Sequence, residues 1–120
     1  MKTSLFNDTI ENIRTAADII RDGGLVAFPT ETVYGLGADA LNGEAVGKVY
    51  TAKGRPSDNP MIVHIADKSE LARLTDDISV DMRVLMDKFW PGPMTMIVRR
   101  KDIVPDVTTG GLDTVGVRLP

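Results

Sequence analysis

The segment Lys53–Pro60, which reads Lys-Gly-Arg-Pro-Ser-Asp-Asn-Pro, carries side chains suited to a phosphorylated ligand. Lys53 and Arg55 flank a glycine at the predicted end of a helix, and two prolines stiffen the chain after it. An ammonium and a guanidinium group held this close suit a polyphosphate, the first as a point charge and the second as a fork. Cations at a helix C-terminus also stabilise the helix dipole without a ligand. That alternative accounts for Lys53 but does not explain the proline-bracketed residues after Arg55.

The segment Phe28–Ala38 is a second candidate for binding. It runs from a short apolar stretch into a loop that holds the hydroxyls of Thr30 and Thr32, one carboxylate, the phenol of Tyr34 and two glycines. Loops that leave strand ends in α/β sheets often bind ligands, but such residues also build plain strand–turn–strand connections. The pattern leaves both interpretations open. A Rossmann site is excluded, because the Gly-Leu-Gly sequence lacks the third glycine and the following helix of that fingerprint.

Two predicted strands carry further polar side chains. His64 shares one strand face with Ile62, because side chains alternate between the two faces of a strand. A lone histidine in an apolar strand is more often a hydrogen-bonded core residue than a catalyst, so the residues alone favour a core position. In the last strand, Thr114 and Arg118 share a face with Gly116. This arginine either protects a sheet edge or lies where a ligand approaches the glycine closely.

The composition excludes several kinds of chemistry. With no cysteine and one histidine, the chain has no thiolate nucleophile and no zinc site of several imidazoles, and we predict no protein-bound metal. Fourteen basic and seventeen acidic side chains give a formal net charge of −3, which weighs against a protein that binds nucleic acid mainly through charge. The first residues do not resemble a secretion signal, and the apolar runs are too short to cross a bilayer. We therefore expect a cytoplasmic protein with no membrane partner.

Hydrophobic spacing and cap residues predict the elements that position these side chains. Helices are expected at about Thr9–Asp22, Glu44–Lys53 and Asp67–Leu74, and from Ser79 or Asp81 to Phe89. Strands are expected at Leu25–Phe28, Met61–Ala66, Met94–Arg99 and Val115–Leu119. Strands that alternate with helices indicate an α/β fold in which helices cover a sheet. No linker interrupts the chain, which predicts a single domain over residues 1–120.

Local signals refine this prediction. Asp8 and Glu11 have the spacing of a capping box at the start of the first helix, and Asp67 and Glu70 have it at the start of the third. Gly54 is expected to stop the second helix. The run Leu25–Phe28 has the apolar character of a buried strand. Trp90–Pro93 is expected to end a helix and to supply an aromatic plug. The second helix is expected to turn three residues inward: Ala45, Val49 and Ala52. Four methionines are expected to fill the core: Met82, Met86, Met94 and Met96.

Five ordered blocks of the sequence resemble the YrdC-like threonylcarbamoyl-AMP synthases. The blocks are Phe28–Gly37, Lys53–Pro56, Asn59–His64, Trp90–Thr95 and Thr114–Pro120. The similarity extends from about Ala16 to Pro120, and the blocks follow the order of the family. Five blocks in order are a more specific signal than any one of them.

The resemblance implies a twisted, open, mixed α/β sheet flanked by helices around a positively lined cavity. It also implies an enzyme, a nucleotidyltransferase that converts L-threonine, bicarbonate and ATP into threonylcarbamoyl-adenylate and pyrophosphate, with Mg²⁺ on the phosphates. The product would pass to the machinery that forms threonylcarbamoyladenosine in tRNA. The positions that match ATP-binding residues are Lys53, Arg55, Asn59 and Thr114, of which the first two are the catalytic candidates. The positions that match or adjoin threonine-binding residues are Thr30, Thr32, Tyr34, His64 and Arg118.

One departure from the family concerns the end of the sequence. Domains of this family continue with a Ser-x-Asn motif, whereas this sequence stops at Pro120 directly after an apolar strand. We therefore expect a YrdC-like domain truncated at its C-terminus, without its last third and with only part of the ATP site. Two other functions stay open: a non-catalytic module that binds tRNA or double-stranded RNA, and carbamoyl transfer from carbamoyl phosphate, as in hydrogenase-maturation proteins with a similar domain.

Overall fold

A computed structural model describes residues 2–30, 32–56 and 59–120 of the chain. The α-helices in this part are α1 (Ile10–Arg21), α2 (Gly43–Lys53) and α3 (Val80–Phe89), and a 3₁₀ helix spans Lys68–Arg73. The strands are β1 (Val26–Phe28), β2 (Gly35–Gly37), β3 (Ile62–His64), β4 (Met96–Arg99) and β5 (Thr114–Arg118). The carboxylate of the first loop, Glu31, and the residues Ser57 and Asp58 of the second lie outside the described residues.

The predicted mixed sheet is confirmed, and it has a smaller companion. β5 is the central strand of a three-stranded sheet, parallel to β3 and antiparallel to β4. β1 and β2 form a separate antiparallel hairpin. The prediction that the first strand is buried is wrong, because its only partner among the described strands is β2, which leaves Ala27 exposed.

One face of the three-stranded sheet forms the core. The inward side chains of its strands are Val63, Ile65, Met96, Val98, Val115 and Val117. They pack with Leu71 and Leu74 from the 3₁₀ region and with Met86 and Trp90 from the end of α3. The predicted role of the methionines is confirmed, since Met82 and Met94 pack against this same cluster. The opposite face of the sheet, which carries Ile62, Ile97 and Arg118, is not part of this cluster.

Helix α1 departs from its predicted start and packing. Thr9 is the N-cap residue, and its hydroxyl accepts the N–H of Asn12 at 3.2 Å, so the predicted capping box of Asp8 and Glu11 is wrong. None of the helix residues is buried. The apolar stripe that begins at Ile10 is therefore largely exposed in this structure.

Helix α2 follows the sequence signals more closely. Asn42 caps it, Ala45 and Val49 are buried as predicted, and Gly54 ends it in the left-handed region with φ of 62°. Ala52 is exposed rather than inward, because the buried side of the helix passes through Val46 and Tyr50 instead. No helix in the described part of the chain is both long and apolar enough to cross a membrane.

The predicted capping box of the 3₁₀ helix is present, with both of its hydrogen bonds. The Asp67 carboxylate accepts the N–H of Ser69 at 2.8 Å, and the Glu70 carboxylate accepts the N–H of Asp67 at 3.1 Å. Hydrogen bonds to the carboxylate from Ser69, first from its backbone N–H and then from its side chain, hold the pKa of Asp67 below its ordinary value of 3.8. Because the folded state favours the charged carboxylate, its contribution to stability is complete above that ordinary value and is lost as the pH falls through the folded-state pKa.

The variant Asp67→Asn tests this linkage. Asparagine keeps a capping oxygen but does not titrate. We expect the original protein to be more stable than the variant at neutral pH, and the gap to shrink as the pH falls below about 4. Urea unfolding at a series of pH values measures it. A gap that stays constant down to about pH 2 would contradict the assignment.

Candidate active site

A cavity of about 590 Å³ lies where the predicted binding segments meet. Its walls come from the β1–β2 hairpin, the second half of α2, strand β3 and the 3₁₀ helix. Four of the predicted site residues line it: Thr30, Lys53, Arg55 and His64. They come from three separate parts of the chain, and the fold brings them to one concave surface.

The end of α2 explains how two cations reach this cavity. Lys53 is the last residue of the helix, and Gly54 reverses the chain in a left-handed conformation that favours glycine. The N–H of Arg55 then donates to the Tyr50 carbonyl at 3.1 Å, so the chain turns back toward the helix end. The turn places both side chains on the cavity wall.

Arg55 is fixed at one end of its guanidinium group and unsatisfied at another atom. Its Nη2 donates to the Pro60 carbonyl at 3.1 Å, and its Cζ lies 6.0 Å from the centroid of the Tyr50 ring. Its Nε is buried and has no hydrogen-bond partner among the residues that the structure describes. A buried donor without an acceptor is costly.

Tyr50 supports the turn that carries Arg55. Its side chain is buried, and its hydroxyl lies within hydrogen-bonding distance of the carbonyls of Asn59 and Val107. It therefore connects α2 to the segment after Arg55 and to the loop before β5. The Asn59 side chain is exposed and does not line the cavity.

The charges around the cavity leave its cations available to a ligand. Lys53 and Arg55 are joined there by Arg73, the last residue of the 3₁₀ helix. The carboxylates that also line the cavity, those of Asp39 and Glu70, accept backbone N–H groups, at 3.0 Å from Leu41 and at 2.7 Å from Ala66. These hydrogen bonds hold both carboxylates in place. The cavity can accept a polyanion.

Sequence reasoning missed Arg73. A basic residue in the last turn of a short helix is commonplace, because it complements the helix dipole. Its place on the cavity wall depends on how the 3₁₀ helix packs after β3. The position of that helix, directly beyond the strand that carries His64, was the available signal.

His64 and Arg118 lie side by side on the exposed face of the sheet. They are partners in the parallel register of β3 and β5, and neighbouring strands are about 4.8 Å apart. The favoured core position of His64 is wrong: the side chain is exposed, because Val63 and Ile65 occupy the buried face. His64 therefore joins the cavity to the open face of the sheet.

The open face contains the rest of the predicted β5 residues. Thr114 and Arg118 lie on one face with Gly116, as predicted. The Arg118 guanidinium donates from Nε and Nη2 to the Thr95 hydroxyl at 3.1 and 2.8 Å. Thr114 is exposed and lies at the other end of the strand, and neither it nor Arg118 lines the cavity itself.

The loop between β1 and β2 brings one predicted residue to the cavity and leaves another in solvent. Thr30 lines the cavity, and its hydroxyl accepts the N–H of Thr32 at 3.2 Å and donates to the Val33 carbonyl. Thr32 is exposed and does not line the cavity, although its N–H binds Thr30, which does. The side chain of Tyr34 is 76% exposed and does not line the cavity.

The hairpin itself forms part of the cavity wall through close packing of an aromatic ring. The Phe28 ring lies against Gly37 so closely that a Cβ there would be 2.7 Å from its Cε1 atom. Both residues line the cavity. Local structure thus agrees with the strand–turn–strand interpretation of this segment, and the same segment also borders a cavity.

A metal site formed by protein side chains alone is not visible in the described ranges. No group of three or more His, Asp or Glu side chains there has a metal-binding arrangement.

Comparisons with known proteins point to one group. The family model for Sua5, YciO and YrdC proteins, described as "Telomere recombination", matches residues 18–120. The threonylcarbamoyl-AMP synthase of Pyrococcus abyssi is 56% identical over 108 residues, which cover 90% of this chain and 32% of that protein. The enzyme of the same name from Bacillus subtilis is 54% identical over 109 residues, with the same coverage.

Solved structures agree with the fold. The crystal structure of P. abyssi Sua5 complexed with L-threonine superposes with a TM-score of 0.88 at 55% identity, over 92% of this chain and 32% of that one. Escherichia coli YciO gives a TM-score of 0.78 at 26% identity, over 95% of this chain and 55% of that one. The chain spans about a third of the length of the P. abyssi and B. subtilis synthases.

Proposed function

Because this chain belongs to the Sua5/YciO/YrdC family, we propose that its cavity is part of the active site of a threonylcarbamoyl-AMP synthase. The reaction joins L-threonine, bicarbonate and ATP into threonylcarbamoyl-adenylate and releases pyrophosphate. The whole reaction is assigned to the protein in which these residues work, since the P. abyssi and B. subtilis synthases are about three times as long as the matched stretch. Residues 1–120 are proposed to form part of a single YrdC-like domain.

The observation that carries this proposal is the convergence of Lys53, Arg55 and His64 on one cavity. An amino-acid substrate and a nucleoside triphosphate differ in charge and size, and the site offers a distinct environment for each. The cationic turn after α2 suits phosphates. The sheet face beside His64 suits a carboxylate, because Arg118 lies there.

At the nucleotide end, Lys53 and Arg55 are proposed to bind the phosphates of ATP. The guanidinium group of Arg55, which lines the cavity and donates from Nη2 to the Pro60 carbonyl, would pair its remaining N–H groups with phosphate oxygens. Asn59 and Thr114 are proposed as further ATP contacts, and both are exposed and open to a ligand. Magnesium would arrive as part of the substrate, held mostly by phosphate oxygens and water.

At the amino-acid end, Thr32, His64 and Arg118 are proposed to hold L-threonine, with Thr30 and Tyr34 contributing from the hairpin loop. The free edge of the Arg118 guanidinium group can pair with the substrate carboxylate in a fork. His64 lies next to it in register and lines the cavity. This arrangement would direct the substrate amine from the sheet face toward the phosphates.

The chemistry then requires positioning more than a protein nucleophile. The threonine amine adds to bicarbonate with loss of water, and one oxygen of the resulting carbamate attacks the α-phosphorus of ATP. The bond from that phosphorus to the β-phosphate bridging oxygen breaks, and pyrophosphate leaves. Lys53 and Arg55 stabilise the charge that develops on the phosphate oxygens. The threonylcarbamoyl group of this adenylate is proposed to be transferred to tRNA by downstream enzymes, with release of AMP.

The decisive experiment uses the complete parent protein with MgATP, bicarbonate and ¹⁴C-threonine. We expect a labelled adenylate and pyrophosphate that both depend on threonine and on bicarbonate. Omission of each substrate in turn is the control. Pyrophosphate release without labelled adenylate, or no reaction at all, would reject the proposal. Product formation from carbamoyl phosphate in place of bicarbonate would instead indicate a carbamoyl transferase.

A further inference from the structure

We propose that Thr95 is a positioning residue that holds the guanidinium group of Arg118 in the orientation that receives the threonine carboxylate. This inference rests on the proposed function, because it concerns the amino-acid end of that same site. Thr95 does not line the cavity, and it acts through Arg118 rather than on the substrate.

Two hydrogen bonds define the orientation of the Arg118 guanidinium group. The Thr95 hydroxyl oxygen accepts from both Nε and Nη2 of Arg118, at 3.1 and 2.8 Å. One side of the guanidinium fork is therefore occupied by a neutral acceptor. The other side, formed by Nη1 and Nη2, keeps its fork geometry for a carboxylate. None of the described acidic side chains forms an ion pair with Arg118.

Thr95 is itself fixed by Gly116. A Cβ added at Gly116 would lie 3.2 Å from the Thr95 methyl carbon. The missing side chain therefore gives that methyl group room against the centre of the sheet. With its methyl group packed there, the hydroxyl of Thr95 points to Arg118, which lies on the same strand face as Gly116 and next to it on that face.

The loop that carries Thr95 is anchored on both sides. The indole Nε1 of Trp90 donates to the Met94 carbonyl at 2.8 Å, and the N–H of Gly92 donates to the Leu119 carbonyl at 2.8 Å. Both contacts flank the path from α3 to β4. The position of Thr95 is thus determined by the core on one side and by the end of β5 on the other.

Two substitutions of Thr95 separate its hydrogen bonds with Arg118 from the packing of its methyl group. Thr95→Val keeps the shape of the side chain but removes the acceptor, while Thr95→Ser keeps the acceptor and loses the methyl group. In the complete parent protein, we expect Thr95→Val to raise the KM for threonine about ten- to thirtyfold and to leave the KM for ATP within about twofold. We expect Thr95→Ser to stay within about threefold of the original value for both substrates.

Nitrogen-15 NMR of the Arg118 side chain provides a readout that does not depend on catalysis. The Nε–H resonance is expected to be protected from exchange in the original protein and in Thr95→Ser, and to exchange rapidly in Thr95→Val. Equal threonine KM values in Thr95→Val and the original protein would overturn the inference, as would equal losses in both variants or a parallel rise in the KM for ATP. If the original protein makes no threonine-dependent adenylate, the proposed function fails first and this inference with it.

Discussion

Replacing Arg55 by alanine is expected to weaken ATP use by about 1.5–3 kcal/mol, roughly ten- to 150-fold in kcat/KM, without unfolding the protein. The loss reflects charge-assisted hydrogen bonds to phosphate oxygens that the guanidinium group forms with a bound nucleotide. Replacing Lys53 by alanine is expected to act in the same direction. The measurement is the ATP dependence of adenylate formation by the complete parent protein at saturating threonine.

Stability is expected to change little in the Arg55→Ala variant because two effects oppose each other. The variant removes a donor to the Pro60 carbonyl and the contact with the Tyr50 ring. It also removes the buried Nε, which has no acceptor among the described residues. An unsatisfied buried donor of this kind destabilises the folded state by about 1–3 kcal/mol, so its removal is stabilising. We therefore expect the free energy of unfolding to stay within about 1 kcal/mol of the original value.

Two matched variants complete this test. Arg55→Lys keeps the charge but loses the fork and the planar stacking surface, so its kcat/KM should fall between those of alanine and arginine. Arg14→Ala removes an exposed arginine of α1 that does not line the cavity and should leave ATP use unchanged. If Arg55→Ala retains normal ATP use, or if Arg14→Ala impairs it equally, Arg55 does not bind the nucleotide in the proposed way.

Signals that depend on short stretches of chain were predicted well from the sequence. The cap formed by Asp67 and Glu70 and the stop at Gly54 occur where the residues indicated. Of the two starts left open for the last helix, Ser79 is the N-cap and Asp81 is not. Each of these involves hydrogen bonds or backbone angles within a few residues. The chemistry that decides them is contained in the segment itself.

Features that depend on distant partners were predicted less well. The second strand of the hairpin, Gly35–Gly37, is three residues long with two glycines, a composition with no strand signal of its own. It is a strand because Phe28 and its neighbours provide the pairing edge. Likewise, α1 carries a clear apolar stripe, but nothing in its own sequence could show that Ile10 and Ile13 stay exposed.

The candidate site depends both on local sequence signals and on distant partners. The pattern of alternation correctly placed His64 opposite Val63, but both faces of that strand carry apolar residues, so it could not show which face is buried. The convergence of Lys53 and Arg55 with His64 was predicted only through the resemblance of several blocks to one family. No motif singled out Arg73. The contact between Thr95 and Arg118 joins residues 23 positions apart, and only the antiparallel pairing of β4 with β5 makes it visible.

Trp90 connects the stability of this fold to its candidate site. Its side chain is 4% exposed and packs in the main core cluster, while its indole N–H donates to the Met94 carbonyl. One face of this residue therefore fills the interior, and its polar edge holds the loop that leads to Thr95. Removing the whole ring therefore affects the core and the loop, whereas removing only the indole N–H affects the loop alone.

We expect Trp90→Ala to lower the free energy of unfolding by about 3–5 kcal/mol, the range for deleting a large buried aromatic side chain. Small domains are stable by about 5–15 kcal/mol in total, so this loss is a large fraction of the stability of the fold. Phe89→Ala is the matched control, because the neighbouring aromatic is 47% exposed and should cost only about 1 kcal/mol. Urea unfolding of the three proteins measures both effects. Equal destabilisation by Trp90→Ala and Phe89→Ala would show that Trp90 does not anchor the core.

Trp90→Phe separates the polar edge of this residue from its bulk. Phenylalanine keeps most of the core volume, so this variant should cost less stability than Trp90→Ala. It lacks the indole N–H that donates to the Met94 carbonyl, and the loop that carries Thr95 loses that anchor. We therefore expect Trp90→Phe to raise the KM for threonine in the complete parent protein by displacing Thr95. An unchanged threonine KM would show that the hydrogen bond of Trp90 does not position the loop.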